Sequence, residues 1–188
     1  MKTNHRKLSV LPALAMLVAQ MAFVTAQAAD ANENPGQLSA ADYKFAKEAA
    51  CGGMFEVQLG NMAASNSKNN QVQEFGLRMV KDHGKAGQDL AQIASNKGAT
   101  LPSQLSSRQQ REVDRLAKLS GPEFDKAYMS CMVKAHKADE KAFKKASEDV
   151  KDPELKAFAA NTLAIVQDHL KMAEDLEQSV KNQLSLNQ

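Results

Sequence analysis

Val80-Lys81-Asp82-His83-Gly84-Lys85-Ala86-Gly87-Gln88-Asp89-Leu90 occurs a second time, as Val166-Gln167-Asp168-His169-Leu170-Lys171-Met172-Ala173-Glu174-Asp175-Leu176. Val, Asp, His, Lys, Asp and Leu recur in the same six places. A second echo lies upstream of each copy, where Cys51 stands five residues before Glu56 and Cys131 five before His136. The chain therefore reads as a duplicated helix pair. Beyond the first residues, the remaining histidines are His83, His136 and His169, one on each of three expected helices.

Residues 1–28 form a separate object. Lys2, Arg6 and Lys7 precede an apolar run from Leu8 to Val24, which ends in Ala26-Gln27-Ala28. That is the pattern of a cleaved secretory signal peptide. Pro12 and Gln20 interrupt the run, which is shorter than the about 20 apolar residues of a membrane span. The expectation is a periplasmic or secreted protein without stable membrane insertion. Without the leader, 21 Lys and Arg remain against 22 Asp and Glu. A nearly neutral chain of mixed sign offers no phosphate-tracking stripe, so nucleic acid is not an expected partner. Protein partners are left open.

After a polar leader, 29–38, the helical signals begin. Ser39 is placed to cap a first helix with Asp42 reaching back, and apolar or small residues recur at Phe45, Ala49, Gly52, Phe55, Leu59 and Met62. Asn70 and Gln73 suggest a capping box for a second helix, whose stripe is Val72, Phe75, Met79, His83, Ala86, Leu90 and Ile93, with Gly98 as its stop. Residues 107–119 read as a short crossover helix ended by Gly121-Pro122. The third long helix starts within Ser120 to Glu123, another Ser/Glu pair three apart, and carries Met129, Met132, His136, Glu140 and Phe143 on one stripe. Asp152-Pro153 opens the fourth, with Leu155, Ala159, Thr162, Val166, His169, Ala173 and Val180 in line. The expected fold is all-α: a ferritin-like four-helix bundle over 39–181 with a crossover helix between helices two and three, then a disordered tail, 182–188. Simple up-down-up-down is the alternative topology.

Several stretches carry a family resemblance. Gly53-Met54-Phe55-Glu56-Val57-Gln58-Leu59-Gly60, Met79-Val80-Lys81-Asp82-His83, Leu101-Pro102, Leu119-Ser120-Gly121, Asp125-Lys126-Ala127-Tyr128-Met129 and Pro153-Glu154-Leu155-Lys156-Ala157-Phe158-Ala159 resemble the exported bacterial family known as domain of unknown function 4142. The resemblance spans most of 40–177. It implies an exported ferritin-like bundle and a Glu-His-His-His constellation on Glu56, His83, His136 and His169. It implies no reaction. Cys51 and Cys131 stand outside the family pattern.

The four residues also pass a check of level. Taking the first turn at residue 68, Glu56 lies 12 residues before it and His83 15 after; taking the second at 151, His136 lies 15 before and His169 18 after. Offsets of three residues are less than one helical turn. Three neutral imidazoles and a carboxylate suit a divalent transition metal, with zinc, iron, manganese and copper not distinguished. The rival reading is a metal-free polar core whose members satisfy one another, in an envelope structural or stress-related interaction protein. A carboxylate-bridged di-iron site is disfavoured because no Glu-x-x-His is present.

Asp82 and Asp168 precede their histidines and so point about 100° away, towards solvent. Asp139 and Glu140 read as a solvated face. Met79, Met132 and Met172 lie near histidines but read as core filler rather than copper ligands. No catalytic residue or organic cofactor is expected, and no nucleophile turn is present. Antiparallel first and third long helices would hold Cys51 and Cys131 too far apart to bridge.

Overall fold

The computed structural model describes residues 37–186, which fall within one compact unit, Glu33–Gln188. The expected signal peptide and nearly all of the 29–38 leader lie outside the described residues. The described chain is all-α, with five helices and no strand: α1 (Ala40–Asn66), α2 (Asn70–Asn96), α3 (Ser107–Leu116), α4 (Gly121–Asp149) and α5 (Pro153–Leu186). No helix among them is long and apolar enough to cross a membrane. The expected tail starts too early, since α5 continues through 182–186 to Leu186.

The caps explain most helix starts, with three corrections. Ser39 Oγ accepts the Asp42 N–H as expected, but the Asp42 carboxylate does not reach back. It is buried and instead accepts the N–H groups of Lys151 and Asp152 at 3.3 and 3.1 Å, tying the start of α1 to the α4–α5 turn. α2 is capped one residue early, by Asn69, whose side chain accepts from Gln71 and Val72, while Gln73 donates to the Ser67 carbonyl. The Ser120–Glu123 box does not form; Ser120 makes no side-chain cap bond, and Pro122 in the first turn starts α4. Asp152 caps α5 as expected, accepting from Glu154 and Leu155. The glycine stop at Gly98 has φ +65°, a conformation glycine adopts without strain.

Neighbouring long helices are antiparallel. Gly60 of α1 meets Gly76 of α2, where a Cβ on either would come within 2.7 Å of the other's backbone oxygen. Phe45 packs edge-on against Phe143, and Glu56 approaches His136, so α1 also opposes α4. α2 meets α5 through Asn69–Gln183 at one end and Lys97–Asp152 at the other. α2 and α4 therefore run the same way, and the connection through α3 spans the length between them. Val113 and Leu116 are the buried residues of α3, which lies against α1 and α4.

Two apolar clusters fill the interior. Leu59, Val72, Phe75, Met79, Phe124, Tyr128 and Met132 belong to one. Ala46, Leu90, Phe143, Leu155, Ala159 and Val166 belong to the other. The histidines lie at the junction between them.

Candidate metal centre

Each histidine is positioned by the middle of a long helix, where the core stripe faces inward. His83 on α2 is 6% exposed, while His136 on α4 and His169 on α5 are fully buried. Their ring centroids form a nearly equilateral triangle with sides of 5.1 to 5.5 Å. One nitrogen from each ring lies within 4.8 Å of one from each of the others. The level argument from chain position is thus met for the histidines.

Every histidine turns one nitrogen outward to an oxygen. His83 Nδ1 lies 3.0 Å from Glu56 Oε2, His136 Nδ1 donates to the Met132 carbonyl at 2.9 Å, and His169 Nε2 donates to Asp82 Oδ2 at 3.0 Å. The other three nitrogens are His83 Nε2, His169 Nδ1 and His136 Nε2. His83 Nε2 and His169 Nδ1 are 3.2 Å apart, and His136 Nε2 is buried without a partner. Burial depresses all three imidazoles, His169 to about 4, because charging them there would forfeit hydration. They are neutral near pH 7, as metal ligands must be.

Glu56 joins the cluster and is 2% exposed. Its Oε1 lies 3.5 Å from His136 Nδ1 but makes no hydrogen bond. Two carboxylates that the sequence reading had assigned to solvent belong here. Asp82 reaches across to α5; burial alone would raise its carboxyl, but bonds from His169 and Arg78 outweigh this and hold it below the ordinary range. Asp139, one turn after His136, sits against Glu56; burial first, then the neighbouring charge, pushes it up to about 8. Burial likewise raises Glu56, against the opposing pull of His136 beside it. The signal for Asp139 was its three-residue spacing from His136. Asp168 is exposed, as expected. Met79 and Met132 are part of an apolar cluster, and Met172 packs against it.

The family profile for the domain of unknown function DUF4142 matches residues 27–176, and the chain belongs to that family. No curated protein matches the chain. Among solved structures, it is similar to the crystal structure of a DUF305 fragment from Deinococcus radiodurans. The TM-score is 0.68 at 12% identity, over 76% of this chain and 99% of that one. At that identity the likeness concerns the fold alone.

Proposed function

We propose that this DUF4142 protein is an exported metal-binding protein, holding one divalent transition ion among His83, His136 and His169 at the middle of a ferritin-like four-helix bundle. The observation that carries the reading is the protonation pattern forced by the outer oxygens. The Met132 carbonyl and the Asp82 carboxylate each require an N–H, as does Glu56 when ionised. The three inward nitrogens are then all lone pairs, with no donor among them. A cation at their centre resolves that arrangement, and outer-shell oxygens of this kind orient and strengthen imidazole ligands. Three nitrogens leave a fourth position open, and the donor set suits zinc, copper or iron better than magnesium or calcium. Glu56, expected as a fourth ligand, is better placed to orient His83. The reading assigns binding only.

The bundle assignment draws on the antiparallel neighbours, with α3 as the crossover helix. Export draws on the leader, and intact-mass analysis should place the mature start near Ala29. A metal-free network also has one specific support: the 3.2 Å separation of His83 and His169 allows a hydrogen bond if the proton on the Glu56 side belongs to the carboxyl.

Melting curves decide between the two. At free metal 100 times the dissociation constant, wild type should gain about 2.7 kcal/mol, and His83→Ala, His136→Ala and His169→Ala should lose that gain. A metal-free core predicts equal melting with and without zinc, manganese, iron or copper, and no metal in untagged protein purified from the periplasm.

A further inference from the structure

A groove of about 1090 Å³ opens between α1, α3 and α4, and Glu56 and Asp139 are both in its wall. Glu56 is almost fully buried and its Oε1 is unpartnered. Gly52, facing Asp139 across the groove, leaves the carboxyl room: even an added Cβ would stand 3.8 Å from Oδ1. A small cavity of about 20 Å³ beside Asp139, walled by Gly52, Gly53 and His83, has space for a single water or ion.

We propose that Glu56 and Asp139 form a second cation site, in which carboxylate oxygens hold a hard divalent ion on the groove side of the three-histidine centre. Two adjacent carboxylates, Glu56 buried and Asp139 half-buried, repel one another unless a proton or a cation lies between them. The ion-pair partners of Glu56 are neutral histidines, not lysine or arginine. Glu56 has one oxygen for each role: Oε2 holds His83, and Oε1 is left for the ion. The groove gives solvent access, so the ion keeps the waters that manganese and magnesium retain when few protein oxygens bind them. Oxygen and nitrogen donors sort the two ions, with zinc or copper to the imidazoles and manganese to the carboxylates. The proposal rests on the histidine reading only for the identity of the neighbouring ion.

The test is manganese binding to protein first loaded with one equivalent of zinc, read by loss of the free manganese paramagnetic resonance signal. One manganese per chain is expected, abolished by Asp139→Asn and by Glu56→Gln. The Asp139→Asn protein should still hold its zinc. Asp139→Ser, which removes the carboxylate with a smaller side chain, repeats the test if the asparagine variant does not fold. Zinc-loaded wild type that takes up no manganese overturns the second site, as does an Asp139 variant that binds it like wild type. If wild type fails to retain zinc but binds manganese through Asp139, the three-histidine reading falls and this site stands.

Discussion

His169 Nε2 and Asp82 Oδ2 lie 3.0 Å apart, joining the middle of α5 to the middle of α2. The carboxylate also meets Arg78 Nε at 3.2 Å, so it is held from both sides. This contact fixes the imidazole tautomer, with the proton on Nε2 and a lone pair on His169 Nδ1, 3.2 Å from His83 Nε2. Replacing Asp82 with Asn should therefore weaken metal binding about 10- to 100-fold, the usual cost of losing an outer-shell partner. Asp168→Asn, at the matching place in the repeat, should leave it unchanged. Competition titration against a chelator measures both.

Gly60 and Gly76 let α1 and α2 touch backbone to backbone. A Cβ at Gly60 would stand 2.5 Å from the Gly76 carbonyl oxygen, which cannot rotate away. Gly60→Ala should destabilise by about 1–3 kcal/mol through overpacking. At Gly87 on the same α2, nothing lies within 4 Å of the added carbon. Gly87→Ala should instead stabilise by about 0.5–1 kcal/mol. Urea unfolding of the two variants should move in opposite directions.

Asp42 accepts the Lys151 and Asp152 N–H groups from a buried position. Removing the acceptor leaves those donors unpaired in the α4–α5 turn. Asp42→Ala should cost about 1–3 kcal/mol. Hydrogen exchange at Lys151 and Asp152 should accelerate in the variant; unchanged protection there would rule out the cap.

Lys97 Nζ lies 2.8 Å from Asp152 Oδ2. Burial acts to raise the Asp152 carboxyl, but Lys97 and the Leu155 and Glu154 N–H groups outweigh it and leave the pKa lowered. A group with a lowered folded pKa contributes stability above its unfolded value, about 3.9, and loses it as pH falls through the folded value. The stability difference between wild type and Lys97→Ala should thus be full at neutral pH and shrink below about pH 4. Denaturation at pH 7, 5 and 3 gives the comparison.

Cys51 and Cys131 are both free. Gly52, next to Cys51, faces Asp139, and Cys131 lies eight residues back along α4, about 12 Å at 1.5 Å per residue. A disulfide needs α-carbons within about 7 Å. Peptide mapping after mild oxidation should find no Cys51–Cys131 link within one chain.

The helix ends and inward faces were legible in the sequence because their causes are local. Ser39 and Asp152 cap within three residues, Gly98 supplies the left-handed stop, and apolar residues at helical spacing placed His83, His136 and His169 inside. Chain distances from two turns that differ by only three residues in each pair placed Glu56, His83, His136 and His169 near one level, which rise per residue determines. The outer partners were not legible. A residue one place before a core histidine points about 100° away, and whether that direction meets water or another helix depends on which helix packs there. At Asp82 it meets α5; at Asp168 it meets solvent. Asp139 likewise stands where α1 carries glycines at 52 and 53, leaving space for its carboxyl to turn inward. The sequence by itself determined the helices and the faces they bury. Only the tertiary structure decided which flanking carboxylates complete the centre, because that depends on lateral neighbours that no local pattern encodes.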